Sequence, residues 1–126
     1  MLQDSAAFSG FSVNDLALAK GFYEDVLGLE VSQDEMGLHL HIAGSNDIFV
    51  YEKEDHQPAT FTVLNFPVED IDQAAEELAT RGVAFEHYDG MYQGEDGIAR
   101  GKASGDGPDI AWFKDPAGNI LSILSN

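Results

Sequence analysis

The chain has 126 residues, 44% of them hydrophobic and 10% aromatic, enough to bury a core within one domain or two small halves sharing one. Cysteine is absent, which excludes disulfides, thiolate metal sites and a cysteine nucleophile. Six Lys+Arg stand against 23 Asp+Glu, a formal net charge of −17, so no basic footprint exists for nucleic acid or for an anionic membrane surface.

The opening MLQDSAAFSGF has no basic region and no sustained apolar run, so neither a signal peptide nor a membrane helix is expected, and the default location is cytoplasmic. Residues 14–29, NDLALAKGFYEDVLGL, carry the first helical pattern. Leu16, Ala19, Phe22, Tyr23, Val26 and Leu27 recur at helical spacing, Asp15 can cap the start, and Gly28 supplies the stop. LEVSQ, GLHLHIAG and DIFVYEK follow with strand character.

A boundary falls in EKEDHQPAT, residues 52–60, where polar residues and Pro58 interrupt the strands. Two modules are therefore expected, about 1–56 and about 57–126. The second helix is EDIDQAAEELATRGV, residues 69–83, with Asp70 and Gln73 as a capping pair, Ile71, Ala74, Ala75 and Leu78 as its stripe, and Gly82 as its end. Val13-x-Asp15-Leu16 is echoed by Val68-x-Asp70-Ile71 at a constant offset (70 − 15 = 55), so the pattern of strand, helix and about three strands is stated twice. The later strands are expected at VAFEHYD, DIAWFKD and NILSIL. Residues 90–108 read as a mobile loop or ribbon-like excursion. KDPAGN has the proline and glycine of a tight turn.

Three stretches in order, FSVNDLALAKGFYEDVLGLEV, VEDIDQAAEELATRGV and IAWFKDPAGNILSI, resemble the vicinal oxygen chelate superfamily of glyoxalases, bleomycin-binding proteins and extradiol dioxygenases. The resemblance implies an α+β fold of two βαβββ modules whose sheets curl around a cleft, assembled as a homodimer. In metal-using members one ligand stands seven positions before the Asp at each helix start, and a Glu stands seven positions after the Asp of the DPxGN turn. Here those positions hold Phe8, Val63 and Ser122, and the fourth falls near Phe49, Val50 or Tyr51. A phenyl ring and an isopropyl group donate no electron pair, and serine is a poor substitute for a carboxylate. No metal and no other cofactor are expected.

His39 and His41 alternate with Leu38, Leu40 and Ile42 and should share a strand face. Such a pair can chelate a metal or supply a general base. The plainer reading, tolerated residues on a half-exposed face, is preferred because no third ligand is evident. No Gly-rich phosphate loop and no nucleophile-elbow serine occur. The expected ligand cleft is lined by Phe8, His41, Phe49, Tyr51, Val63, Tyr92, Trp112 and Ser122, and would take a small organic molecule without an ion. The excess acid suits a cationic aromatic guest, although a solvated surface or a salt-adapted host would carry the same charge. Two alternatives remain: a lyase, isomerase or dioxygenase with an atypical metal site, and an interaction domain that has lost its chemistry.

Overall fold

The computed structural model describes all residues, Met1–Asn126, and they fall into two compact units, Met1–Pro58 and Ala59–Asn126. The first unit begins with a short 3-10 turn at Leu2–Asp4 and then runs β1 (Gly10–Val13), α1 (Leu16–Gly21), a π-helical continuation (Phe22–Val26), β2 (Glu30–Gln33), β3 (Leu38–His41) and β4 (Ile48–Glu52). Its four strands lie in the order β1-β4-β3-β2, with β1 parallel to β4 and the other pairs antiparallel.

The helix starts where the sequence places it, because the Asp15 carboxylate accepts from the Leu18 amide at 3.0 Å. It does not stay α-helical. At Leu27 the backbone amide reaches back five residues to the Phe22 carbonyl, and the Leu29 amide reaches the Tyr23 carbonyl across Gly28. Gly28 sits at φ 71, the left-handed conformation that ends the helix without a Cβ penalty. The widened turn sends Tyr23 into the core, where its ring meets Phe11 at 6.2 Å and Phe22 edge-on at 5.2 Å. Phe11, Val13, Leu38, Leu40, Ile48 and Val50 bury the same side of the sheet, as strand alternation requires.

The second unit repeats the plan with β5 (Thr62–Pro67), α2 (Ile71–Thr80), β6 (Ala99–Arg100), α3 (Gly101–Ser104), β7 (Asp109–Lys114) and β8 (Ile120–Ser125), in the order β5-β8-β7-β6. Asp70 caps α2 through the Gln73 amide at 3.1 Å. Ile71 and Ala75 face the strands and join Ile98, Ala111, Phe113, Leu121 and Ile123 in the core. The KDPAGN turn is held by one carboxylate: Asp115 accepts from the amides of Ala117 and Asn119, both at 2.9 Å, and from Asn119 Nδ2 at 3.0 Å.

One expectation fails here. VAFEHYD is not a strand, since only Phe85 bridges to Phe113, and the outer edge of this sheet is completed by Ala99–Arg100 instead. Residues 90–108, expected as a mobile loop or a ribbon-like excursion, run through turns and then two short elements. They contain β6 and α3, and the Gln93 side chain knits them together through the Tyr88 amide and the Glu86 and Gly97 carbonyls. The alternation of VAFEHYD is genuine, but an edge strand has a partner on one side only, and the excursion between Phe85 and Ala99 interrupts it.

Candidate functional site

In the first unit the side chains opposite the core form an open face. Residues of one parity supply it: Ser12 from β1, Ser32 from β2, His39 and His41 from β3, and Phe49 and Tyr51 from β4. Register brings them together, with Ser32 opposite His39, His39 opposite Phe49, and Gly10 opposite Phe49. Phe49 stacks on Tyr51 at 5.7 Å and lies 5.4 Å from the His39 ring.

Phe8 lies just before β1 and is 67% exposed. Its segment is fixed on both sides: the Phe49 amide donates to the Ser9 carbonyl at 3.0 Å, and Asn46 Nδ2 donates to the Ala7 carbonyl at 2.6 Å. Phe8 and Phe49 therefore flank one hollow of about 510 Å³, whose other walls are Ala6, Asp34, Met36, His39, Asn46 and Asp47. The hollow thus sets one exposed ring beside a second, half-buried one.

Carboxylates organise the two histidines. Asp34 Oδ2 accepts from His39 Nε2 at 2.8 Å, while Oδ1 takes the Met36 and Gly37 amides of the β2–β3 turn at 2.8 and 3.2 Å. The His39 bond, with the Met36 amide behind it, holds the Asp34 carboxyl below the usual range. Asp47 Oδ1 lies 2.9 Å from His41 Nδ1, and Ser32 Oγ lies 2.7 Å from His41 Nε2. A tight turn makes this possible. A Cβ at Gly37, where φ is 153, would lie 2.3 Å from the Val50 carbonyl oxygen.

The remaining sequence-derived site residues belong to the second unit. Ser122 and Trp112 are opposite one another across β8 and β7, and Ser122 is opposite Asn65 across β8 and β5. Ser122 is fully buried and donates to Asn65 Oδ1 at 2.5 Å. Trp112 meets Tyr88 edge-on at 5.5 Å, and burial pushes the Tyr88 phenol above its usual range. Val63 is the extra residue of a bulge, between Thr62 opposite Ile120 and Leu64 opposite Leu121. Tyr92 stands 99% exposed on the excursion.

The positions at which the family resemblance implies metal ligands carry no carboxylate or imidazole. Phe8, Phe49 and Val63 are hydrocarbon groups and Ser122 is a neutral hydroxyl that donates to Asn65, a set that does not fit a divalent ion. No group of three or more His, Asp or Glu side chains converges anywhere in the structure, and each strand imidazole is turned towards its own carboxylate.

Of the residues expected in the cleft, Phe8 and Phe49 line this hollow, and His41 and Tyr51 share the strand face beside it. The other walls, Asp34, Met36, Asn46 and Asp47, were not singled out from the sequence, because they lie on turns outside any periodic pattern. The usable signal was the spacing of Asp34 and Asp47 from His39 and His41, five and six residues apart on either side of one strand.

A model described as the Glyoxalase/Bleomycin resistance protein/Dioxygenase superfamily matches residues 6–123. A superfamily member from Sphaerobacter thermophilus DSM 20745 shares 23% identity over 99% of this chain and 100% of its own, with a TM-score of 0.71. TnmS3, an antibiotic binding protein from Streptomyces sp. CB03234, shares 20% identity over 99% and 98% of the two chains, at a TM-score of 0.70. Lactoylglutathione lyase from Agrobacterium tumefaciens shares 18% over 98% and 94%, at 0.67. No curated protein sequence matches the chain significantly. At such identities the structural likeness concerns the fold, which hosts binders and enzymes alike. With the family model spanning nearly all of its length, the chain belongs to the glyoxalase/bleomycin resistance protein/dioxygenase superfamily.

Proposed function

We propose that this protein binds a small cationic aromatic molecule without a metal ion, and that the hollow of the first unit is where it does so. The observation that carries the reading is the pairing of exposed Phe8 and half-buried Phe49 with two carboxylates, Asp34 and Asp47, around one hollow of about 510 Å³. Ring faces attract a cation, and a carboxylate retains acceptor capacity after one hydrogen bond. The volume suits a molecule of drug size. The net charge of −17 adds a long-range attraction for cations. An antibiotic binding protein among the structural neighbours supports the same plan. His41 and Tyr51 complete this face, whereas Val63, Tyr92, Trp112 and Ser122 lie in the second unit. A homodimer is part of it, carried by the family resemblance and open to sedimentation analysis.

The test is calorimetric titration with N-methylacridinium, set against an acridine sulfonate of the same ring size. The cation is expected to bind and the anion not to bind. Phe49→Ala is expected to weaken the cation about tenfold, which is about 1.4 kcal/mol. Equal affinity for cation and anion, or binding untouched by Phe49→Ala, would overturn the assignment.

A further inference from the structure

The open face of the first unit holds a hydrogen-bonded series of which only Asp47 lines the hollow. Ser32 Oγ lies 2.7 Å from His41 Nε2, and His41 Nδ1 lies 2.9 Å from Asp47 Oδ1. We propose that Ser32, His41 and Asp47 form a nucleophilic relay, and that this face transfers acyl groups from small esters to water through an acyl-Ser32 intermediate.

The chemistry of the partners fixes the direction of the relay. An ionised carboxylate only accepts, so the nitrogen facing Asp47 carries the imidazole proton. In the neutral ring the other nitrogen then presents its lone pair to the Ser32 hydroxyl. This is the tautomer a general base needs, and the carboxylate enforces it. Such a relay is recognised by geometry and roles rather than by sequence position, which explains why no nucleophile-elbow pattern announces it.

Strand register assembles the three groups. Ser32 is directly opposite His39, so His41 is its diagonal neighbour on the same face. Asp47 comes from the turn just before β4 and also lines the hollow beside Phe8 and Phe49. An ester with an apolar or aromatic portion seated in that hollow would therefore have the relay at its rim. Ser32 is exposed on the outermost strand of its sheet, so its hydroxyl is reachable. His39, the other imidazole of this strand, is bonded through Nε2 to Asp34, so that nitrogen is not directed at a serine.

In the acylation step Ser32 Oγ forms a bond to the ester carbonyl carbon while its proton passes to His41 Nε2. The tetrahedral adduct collapses, the ester C–O bond breaks, and the alcohol leaves with that proton. Water then repeats the sequence at the acyl-Ser32 carbonyl and releases the carboxylic acid, restoring the hydroxyl. The sum is ester plus water giving acid plus alcohol, with no oxidant or cofactor.

General-base activation alone contributes about 10²- to 10⁴-fold, so turnover is expected to be slow and covalent capture is the sharper readout. The full chain is treated with a fluorophosphonate, which forms an Oγ–P bond and expels fluoride, and the adduct is mapped by peptide mass spectrometry. The expected result is one dominant adduct on Ser32, absent in Ser32→Ala. Its rate of formation is expected to fall about 100-fold in His41→Gln and at least about tenfold in Asp47→Asn, which no longer enforces the tautomer. An adduct on Ser32 no more abundant than on the other exposed serines overturns the proposal, as does a rate that His41→Gln leaves unchanged. The wild-type map alone is decisive if a variant folds poorly, and melting curves identify such a variant. Because the probe is neutral, its outcome is independent of cation binding in the hollow.

Discussion

The two units follow one topology and use its open face in opposite ways. Phe49 on β4 and Ser122 on β8 are equivalent, because Gly10 is opposite the former and Asn65, its counterpart at the 55-residue offset, is opposite the latter. In the first unit this position carries an aromatic ring stacked on Tyr51 beside paired histidines and carboxylates. In the second it carries a buried hydroxyl satisfied by an amide. A repeated scaffold fixes where side chains point and leaves their chemistry free. One copy gathers ionisable and aromatic groups around a hollow, while the other closes its polar atoms on each other.

The contrast can be broken most forcefully at the turns. Between β7 and β8 the buried Asp115 satisfies three donors at once, whereas in the β3–β4 connection Asp47 is bonded to His41 and Asn46 reaches out to the Ala7 carbonyl. Asp115→Ala is expected to cost about 3 kcal/mol in urea unfolding, since it strands buried donors that a carboxylate had satisfied. A cost under about 1 kcal/mol would mean that the turn is held by backbone geometry alone.

The helix caps sharpen the comparison by predicting sameness. Asp15 and Asp70 make equivalent bonds, to the Leu18 and Gln73 amides at 3.0 and 3.1 Å. Asp15→Ala and Asp70→Ala should each cost about 1 kcal/mol. Unequal losses would show that the π-helical continuation, present only after α1, changes what the first cap stabilises.

The smallest effect concerns Asp34. Its carboxyl is held below the ordinary 3.8 by the His39 and Met36 bonds. A depressed folded-state value stabilises the protein above the unfolded value, and that stabilisation is lost as pH falls through the folded one. NMR titration of the Asp34 side chain should therefore give a midpoint below 3.8, moving upward in His39→Ala. A midpoint indifferent to that substitution would mean that the imidazole is not its partner in solution.

Much of this architecture is legible in the sequence where local and tertiary forces agree. Both caps, the glycine stops and the buried strands DIAWFKD and NILSIL are marked by several independent signals. VAFEHYD misleads because alternation describes a strand's faces and says nothing about whether its edge is paired. At the site, Phe8 and Phe49 were reached through the family resemblance. Their carboxylate companions were not, because Asp34 and Asp47 acquire meaning only when hairpin register turns them towards His39 and His41. Ser32 was silent for the same reason: a diagonal contact across two strands leaves no trace in linear spacing.

The broken outer edge of the second sheet has a further consequence. Since pairing stops at Phe85 and resumes at Ala99, the chain between those anchors can change length without shifting the alignment of any strand. The segment that displays Tyr92 is thus the natural place for this fold to accept new sequence, whether a mutation's insertion or an engineered tag, at little expense to the sheet behind it.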